Sequence, residues 1–276
     1  MVAEMQGSLG EKIAGGASAD VHVWAPGQVV KLFKATVPLV LSSHERRMTR
    51  AVFAAGAPAP EVFGEVTLEG RVGIVLQRFD GPTLLQLLRN DAMTREQTGA
   101  ILAALCLSVR NTPPPPDLLS LRDWVNGWLR HSDGRLPKHI APGIVALMDR
   151  LPPGDVLCHG DPHPDNVIMT AEGPRLIDWS GTVRAPAAYD LACTHILLSE
   201  LAPEMVDDPE RPRAVNAAMQ SEYARLAGMS PAALAAAMAP YLPIIRVLVI
   251  LGEAVPAQRE PLLQRVEAAL RSEGLI

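Results

Sequence analysis

The sequence predicts an α+β fold in which a small, mostly β N-terminal part with one helix precedes a larger helical part. Residues 9 to 80 alternate short apolar runs with turn pairs such as Pro26-Gly27, as the strands of an antiparallel sheet do. After a turn-rich link, apolar residues recur at helical spacing. We therefore divide the chain into an N-terminal unit, residues 1 to 80, and a helical C-terminal unit, residues 81 to 276.

Composition and charge restrict the class of protein. The chain has 276 residues, a formal net charge of -5 and 4% aromatic residues, which argues against bulk nucleic-acid binding and against stacking platforms for single strands. The three cysteines are scattered without a disulfide framework, as in a reducing cytosol. No secretion signal is visible, and the apolar run from Pro243 to Leu251 is too short to span a bilayer and contains Arg246. We expect a cytoplasmic protein that binds neither nucleic acid nor a membrane.

A glycine-bearing loop lies near the start of the N-terminal unit. Gly15-Gly16-Ala17-Ser18 separates a short strand from a hairpin whose second strand runs from Val29 to Phe33. Backbone N–H groups of glycine loops can approach phosphate oxygens, so Gly16 and Ser18 are candidate nucleotide contacts. The loop lacks a full Gly-x-Gly-x-x-Gly, and an ordinary turn is the alternative. No Gly-x-x-x-x-Gly-Lys-Ser/Thr motif occurs, so a nucleotide would need another anchor for its phosphates.

Lys31 is the candidate for that anchor. On a strand its side chain shares a face with Val29 and Phe33, the face expected to be buried, and a buried ammonium group needs a partner. The next helix, predicted to begin after Ser42-Ser43, carries Glu45 on its apolar face, which predicts an ion pair between Lys31 and Glu45. Ser42-x-x-Glu45 also fits a capping box, in which Glu45 would only satisfy the helix start.

The stretch from Leu157 to Ser180 concentrates polar side chains around a second predicted hairpin. Two strand-length apolar runs flank the turn Glu172-Gly173-Pro174. A hairpin brings its far ends together, so Asn166, entering the first strand, should lie close to Asp178, leaving the second. Their oxygens suit Mg²⁺, which commonly shares its coordination shell with nucleotide phosphates. Asp161, in the preceding loop, is then free to orient an acceptor hydroxyl.

The spacing of these polar residues matches a known pattern. His159-Gly160-Asp161, four further residues, Asn166 and then Ile177-Asp178-Trp179 follow the kinase catalytic-loop pattern His-x-Asp-x-x-x-x-Asn with a later metal-binding Asp. With these residues the chain resembles the aminoglycoside phosphotransferase and choline kinase family, which are small-molecule kinases with a protein-kinase-like fold. The resemblance is strongest from 156 to 192 and weakest beyond 200.

The resemblance implies a two-lobed fold with an antiparallel-sheet N-terminal lobe and a larger helical lobe that carries the catalytic loop, residues 157 to 180. It implies transfer of the γ-phosphate of ATP to a hydroxyl group of a small molecule, with Mg²⁺ as the metal. In that assignment Asp161 is the catalytic residue, and Asn166 and Asp178 are the metal ligands.

The resemblance also assigns nucleotide contacts. The family places its phosphate-holding lysine and glutamate at positions that match Lys31 and Glu45. Backbone groups of the link at Arg78 and Phe79 would bind the adenine edge. An Asp before Leu-Ala, here Asp190, would brace the catalytic loop from below.

Three alternatives compete with a small-molecule kinase. His159, Asp161 and His163 alternate and on a strand could bind Zn²⁺, although Pro162 and Pro164 disfavour a paired strand. A protein kinase is disfavoured because no Ala-Pro-Glu segment occurs and the gap after the metal-binding Asp is short. A nucleotide-binding regulator without catalysis is the third alternative.

An acidic cluster follows the catalytic stretch. Its members are Glu200, Glu204, Asp207, Asp208 and Glu210. Such a cluster near the acceptor entrance would attract a cationic substrate, whereas a solvated helix face is the alternative.

Overall fold

An antiparallel sheet with one helix forms the N-terminal part of the computed structural model, which describes residues 9–16, 18–132, 134–252 and 256–276. The sheet order is β1-β2-β3-β5-β4, and every neighbouring pair is antiparallel. The elements are β1 (Lys12–Gly15), β2 (Ala19–Ala25), β3 (Gln28–Phe33), α1 (Leu39–Ala54), β4 (Val62–Leu68) and β5 (Arg71–Gln77). The predicted strands and the single helix are thus present.

The start of α1 differs from the prediction. The helix begins at Leu39, after Pro38, and not after Ser42-Ser43. Ser42 lies inside the first turn, where its hydroxyl donates to the Leu39 carbonyl (3.0 Å). No side chain caps this helix start, so the capping-box alternative for Glu45 is wrong. The apolar residues of the first turn are exposed, with Leu39 at 68%, which is why a core-facing pattern did not mark them.

The C-terminal part is mostly helical, and the predicted link after residue 80 lies between β5 and its first helix. Capping boxes at Thr83 and Thr94 begin the first two helices. The helix that begins at Ala188 continues after His195 as a π-helix, Ile196–Leu201. The helices are α2 (Leu84–Arg89), α3 (Arg95–Asn111), α4 (Leu121–Arg130), α5 (Ile140–Arg150), α6 (Ala188–His195), α7 (Glu210–Ala227), α8 (Pro231–Met238), α9 (Leu242–Leu251) and α10 (Arg259–Ser272).

Two short two-stranded sheets lie between α5 and α6. β7 (Val167–Thr170) and β8 (Gly173–Leu176) form the predicted hairpin. β6 (Val156–Cys158), a strand-length apolar run in the sequence, pairs with β9 (Val183–Ala185), and it is β9 that sequence reasoning did not predict. A three-residue strand gives almost no periodic signal, so only its pairing reveals it.

The core joins the two parts of the chain through α1. Met48 and Val52 of α1 are fully buried in the large helical core, together with Leu176 and Trp179 of the hairpin region. The two faces of the sheet hold only small separate clusters, one around Ile74. The sheet therefore depends on α1 for most of its attachment to the helical part.

One helical run is long and apolar enough to span a membrane by length and composition. It covers Pro231–Leu251 with a mean hydropathy of 2.1, and half of its most apolar 18-residue stretch is buried inside the protein. Val247 and Leu251 are fully buried in the large core, and Arg246 pairs with Glu200 at 2.6 Å.

The link between β5 and α2 packs tightly on the hairpin. The Met169 N–H donates to the Pro82 carbonyl (3.0 Å), and a Cβ on Gly81, whose φ is +148°, would lie 2.0 Å from the Met169 carbonyl oxygen. We predict that Gly81→Ala lowers the free energy of unfolding by about 1–3 kcal/mol, because the backbone must move or hold a strained conformation.

Urea unfolding of both this variant and Gly127→Ala checks the prediction. A Cβ on Gly127, in α4, meets nothing within 4 Å, so that substitution should leave stability unchanged or raise it by up to about 1 kcal/mol. Equal effects of the two substitutions on the free energy of unfolding would contradict the conclusion that close packing of the link requires glycine at position 81.

Candidate active site

Lys31 holds carboxylates from two other segments of the chain. Its Nζ lies 2.6 Å from Glu45 Oε1 on α1 and 3.2 Å from Asp178 Oδ1 after β8. Lys31 and Glu45 are buried, at 9% and 3% exposure, whereas the Asp178 side chain is 36% exposed. The predicted lysine–glutamate contact is therefore present, and it extends to the predicted metal ligand.

One ammonium group faces two carboxylates in this cluster, and their pKa values follow from that imbalance. Burial lowers the pKa of Lys31, but Asp178 and Glu45 outweigh it and raise the pKa above its ordinary value. Burial opposes ionisation of Asp178, yet Lys31 and the Ser180 hydroxyl hold its pKa below the usual range. Burial raises the pKa of Glu45 to about 7 against the attraction of Lys31. With both acids ionised the cluster is net negative, so a cation beside Asp178 is electrostatically favoured.

Asp178 adopts a backbone conformation that is uncommon for a residue other than glycine. Its φ and ψ are 62° and 70°, a left-handed conformation that Asp tolerates better than most residues do. The Ser180 hydroxyl donates to Asp178 Oδ1 at 2.8 Å. The left-handed conformation of Asp178 ends the extended backbone that follows β8, and the carboxylate contacts Lys31.

Asp190 braces the catalytic loop, as the resemblance implied. Its buried carboxylate accepts the backbone N–H groups of His159 and Gly160, each at 2.8 Å. Burial raises the pKa of Asp190 to about 7, while these two donors stabilise its ionised form. Gly160 has a φ of +87°, and a Cβ there would lie 2.1 Å from the Gly181 carbonyl oxygen. The loop therefore needs glycine at this position.

Both ring nitrogens of His159 have backbone partners. Nε2 donates to the Ile177 carbonyl (3.0 Å), and Nδ1 accepts the N–H of Asp161 (3.2 Å). Burial lowers the pKa of His159, which agrees with a neutral imidazole protonated on Nε2. The described residues contain no group of three His, Cys, Asp or Glu side chains placed to hold a metal. These contacts give the zinc alternative no support.

Asp161 is held by two neighbours on the same loop. The Asn166 amide donates to the Asp161 backbone carbonyl (3.0 Å) and approaches its Oδ2 (3.4 Å). His163 Nε2 also lies 3.4 Å from Asp161 Oδ2, while His163 Nδ1 accepts the N–H of Asp165 (3.2 Å). Because Nδ1 is an acceptor, Nε2 carries the proton and can donate to Asp161. Sequence reasoning did not predict this contact.

The residues of the hairpin fit the Mg²⁺ that the resemblance implied. The Ile177 N–H donates to the Asn166 carbonyl (2.9 Å), which holds the two ends of the hairpin together. The Asn166 side chain uses its nitrogen for Asp161, and within the described residues its side-chain oxygen accepts no hydrogen bond. An amide oxygen and an ionised carboxylate, together with phosphate oxygens, form the kind of ligand set that Mg²⁺ prefers.

The remaining candidate nucleotide contacts differ in whether their backbone groups already have hydrogen-bond partners. The Gly16 N–H donates to the Ala19 carbonyl (2.9 Å), so it is already used within the loop, while Ser18 is exposed. The Arg78 N–H donates to the Gly27 carbonyl (2.9 Å). Among the described residues, the backbone N–H and carbonyl of Phe79 have no partner, which leaves Phe79 as the better candidate for an adenine contact.

The acidic cluster is largely neutralised. Glu200 pairs with Arg246 at 2.6 Å and with Arg265 at 2.7 Å, and its side chain is only 9% exposed. Asp208 pairs with Arg95 at 3.1 Å, and Glu210 pairs with Arg213 at 2.6 Å. Within the described residues, Glu204 and Asp207 alone in the cluster have no ion pair. The cluster is therefore a weaker attractor of cations than the sequence suggested.

A cavity of about 670 Å³ opens beside the catalytic loop. Its walls come from α2, the loop at His163 and Asp165, the segment that follows α6, and α7. These segments are far apart in sequence, so no local pattern indicated that they meet. We refer to this space as the loop-side cavity.

A family model described as the phosphotransferase enzyme family matches residues 10–231. The chain belongs to this family. The spacing of Asp161, Asn166 and Asp178 predicted a member of a small-molecule kinase family, and the family match confirms that prediction. No curated protein matches the sequence.

Solved structures confirm the kinase-like fold of this phosphotransferase-family chain. An aminoglycoside-3'-phosphotransferase of type VIII is 21% identical, with a TM-score of 0.59 over 89% of this chain and 93% of that one. A streptomycin–ATP–APH(2")-IIa ternary complex is 17% identical, with a TM-score of 0.53 over 95% and 92%. A choline kinase from Cryptosporidium parvum Iowa II is 14% identical, with a TM-score of 0.53 over 99% and 93%. At these identities the likeness establishes the fold.

The coupled charges around Lys31 predict a pH-dependent effect in this family member. In Lys31→Met, Glu45 loses its cation, so its pKa in the folded state should rise above about 7 while its unfolded value stays near 4.5. Between about pH 4.5 and the raised pKa of Glu45, the folded variant then binds more protons than the unfolded variant. The free energy of unfolding of the variant therefore falls as the pH rises through that range. We expect a loss of about 3 kcal/mol or more near pH 8 and a clearly smaller loss at about pH 5.5.

Urea unfolding at the two pH values measures this difference. Lys34→Met is the matched control, because Lys34 is exposed and has no ion pair among the described residues. A loss for Lys31→Met that is independent of pH would contradict the coupling to Glu45.

The bracing of the loop by Asp190 gives a second prediction. Asp190→Asn replaces one acceptor oxygen with an amide group, so one buried N–H of the loop loses its partner, at a cost of about 1–3 kcal/mol. Hydrogen exchange at His159 and Gly160 should become faster than in the wild-type protein. The exposed Asp117 provides the control Asp117→Asn, and unchanged exchange in Asp190→Asn would contradict the brace.

Proposed function

We propose that the protein is an ATP-dependent kinase that transfers the γ-phosphate to a hydroxyl group of a small molecule. One observation carries the proposal: Lys31, held by Glu45, contacts Asp178, while Asn166 links the start of the same hairpin to Asp161. An anchor for phosphates, a metal-binding pair and a carboxylate for the acceptor thus belong to two groups of residues, which the backbone hydrogen bond between Ile177 and Asn166 holds together at the ends of one hairpin.

Each residue has a separate task in the proposed reaction. Lys31 binds the α- and β-phosphates, and Glu45 keeps its ammonium group in position. Asn166 and Asp178 would hold Mg²⁺, which neutralises charge on the phosphates when bound. Asp161 accepts a hydrogen bond from the acceptor hydroxyl and orients its oxygen toward the γ-phosphorus.

The protein provides a group that accepts the proton released in the transfer. The hydroxyl oxygen forms a bond to the γ-phosphorus as the bond to the β-phosphate oxygen breaks, and the hydroxyl proton passes to Asp161. Because positioning and charge neutralisation supply most of the acceleration, no covalent enzyme intermediate is required.

The chain after Asp178 favours a small acceptor over a peptide. A single turn at Trp179–Gly181, then β9 and α6, follow Asp178 directly, which leaves no long loop on which a peptide could lie. Neighbouring structures include complexes with streptomycin and with gentamicin, so acceptors of small-molecule size agree with the fold. We place the enzyme in the cytoplasm, with neither nucleic acid nor membrane as a partner.

ADP release tests the proposal. With Mg²⁺-ATP and a panel of amino sugars, choline, homoserine and neutral amphipathic alcohols, an acceptor should raise turnover. Asp161→Asn should lower that turnover by about 10²–10⁴-fold, the range of general acid–base contributions. Asp155→Asn, which changes an exposed carboxylate just before the same loop, should not.

Thermal unfolding separates binding from catalysis on the same samples. Mg²⁺-ATP at 100 times its dissociation constant should stabilise the wild-type protein and Asp161→Asn alike, by about 2.7 kcal/mol. No stabilisation of either protein would contradict the nucleotide site. Stabilisation of both, with equal turnover in the presence of an acceptor, would contradict the role of Asp161.

A further inference from the structure

The loop-side cavity has the size and position of an acceptor site. Its volume of about 670 Å³ lies within the usual range for small-molecule sites, about 300–1,000 Å³. His163 lines the cavity and also lies 3.4 Å from Asp161 Oδ2. Asp161 itself is not part of the lining, so His163 is the residue that connects the cavity to the carboxylate that we propose accepts the hydroxyl proton.

The walls of the cavity are mainly hydrocarbon. Leu88, Leu198 and Val215 are buried, and Met205 and Val206 are exposed by 69% and 39% on the same lining. Exposed apolar side chains beside a cavity lose contact with water when a ligand with an apolar surface binds. The remaining apolar lining residues are Leu85, Pro164, Leu197, Ala202 and Pro212.

The charges on the lining nearly cancel. The lining holds three carboxylates, Asp165, Asp207 and Asp208, and two guanidinium groups, Arg89 and Arg211. Asp208 is already paired, 3.5 Å from Arg211 and 3.1 Å from Arg95. A polycation would need several carboxylates without partners to replace its hydration, and this lining offers few.

We propose that the acceptor is an amphipathic alcohol with an apolar body and at most one positive charge, and that the loop-side cavity binds its apolar body. The inference rests on the proposed function, because it assigns the cavity to the acceptor of that reaction. It narrows the acceptor class by excluding polycationic amino sugars as preferred substrates.

Alkyl glucosides test the inference, because they combine uncharged hydroxyl groups with an apolar chain of adjustable length. Calorimetric titration of the full chain with butyl, hexyl and octyl β-D-glucoside, below their micelle concentrations, should show affinity rising about fourfold per methylene, the equivalent of about 0.8 kcal/mol per buried CH₂. Gentamicin should bind more weakly than the hexyl glucoside. Affinity independent of chain length, or tighter binding of gentamicin, would overturn the inference.

Two variants locate the binding. Met205→Asp puts a charge on the cavity lining at an exposed position, so it should remove most of the dependence on chain length without unfolding the protein. Leu226→Asp, at a residue of α7 that is 43% exposed and outside the lining, should leave that dependence unchanged. Equal dependence in Met205→Asp and the wild-type protein would place the glucosides elsewhere and contradict the proposal.

Thermal unfolding with Mg²⁺-ATP distinguishes a wrong acceptor class from a wrong kinase assignment. If the nucleotide stabilises the protein and the glucosides fail, the acceptor class is wrong and the kinase assignment stands. If the nucleotide gives no stabilisation, the kinase assignment fails, and with it the role of the cavity as an acceptor site, whatever the glucosides do.

Discussion

The ammonium group of Lys31 connects three segments that are far apart in the sequence. It lies on β3 and contacts Glu45 on α1 and Asp178 after β8. A buried charge with satisfied partners tolerates little displacement, because separating the charges leaves them unpaired at low dielectric constant. The sheet, α1 and the hairpin are therefore held in one relative position by the same atoms that form the nucleotide and metal sites of the proposed reaction.

A second constraint acts on the backbone of the catalytic loop. The buried carboxylate of Asp190 accepts two successive N–H groups of the loop, and Gly160 allows the close approach to Gly181. The backbone of Asp161 is thus fixed, and the contacts of Oδ2 with Asn166 and His163 orient the carboxylate although the side chain itself is exposed. An exposed carboxylate on a fixed backbone is accessible to an acceptor and still directed, which is what orientation of a hydroxyl group requires.

Sequence reasoning succeeded where chemistry depends on short spacing or on strand and helix periodicity. The hairpin that joins Asn166 to the segment of Asp178 and the inward face of Glu45 are of this kind, and both are found in the structure. The start of α1 was wrong because its first apolar residues do not face the core. The contact between His163 and Asp161 was missed because a loop has no period from which a side-chain direction can be deduced.

The acceptor side of the site shows why selectivity is harder to deduce than reaction type. The acidic residues after α6 suggested a cationic substrate, but their arginine partners come from positions as distant as Arg95, Arg246 and Arg265. A carboxylate that already has a guanidinium partner contributes little to recruiting a second cation. The apolar walls of the loop-side cavity likewise come from separate helices. The reaction type depends on a few residues close in sequence, whereas the substrate is chosen by a surface that exists only after the helices have packed.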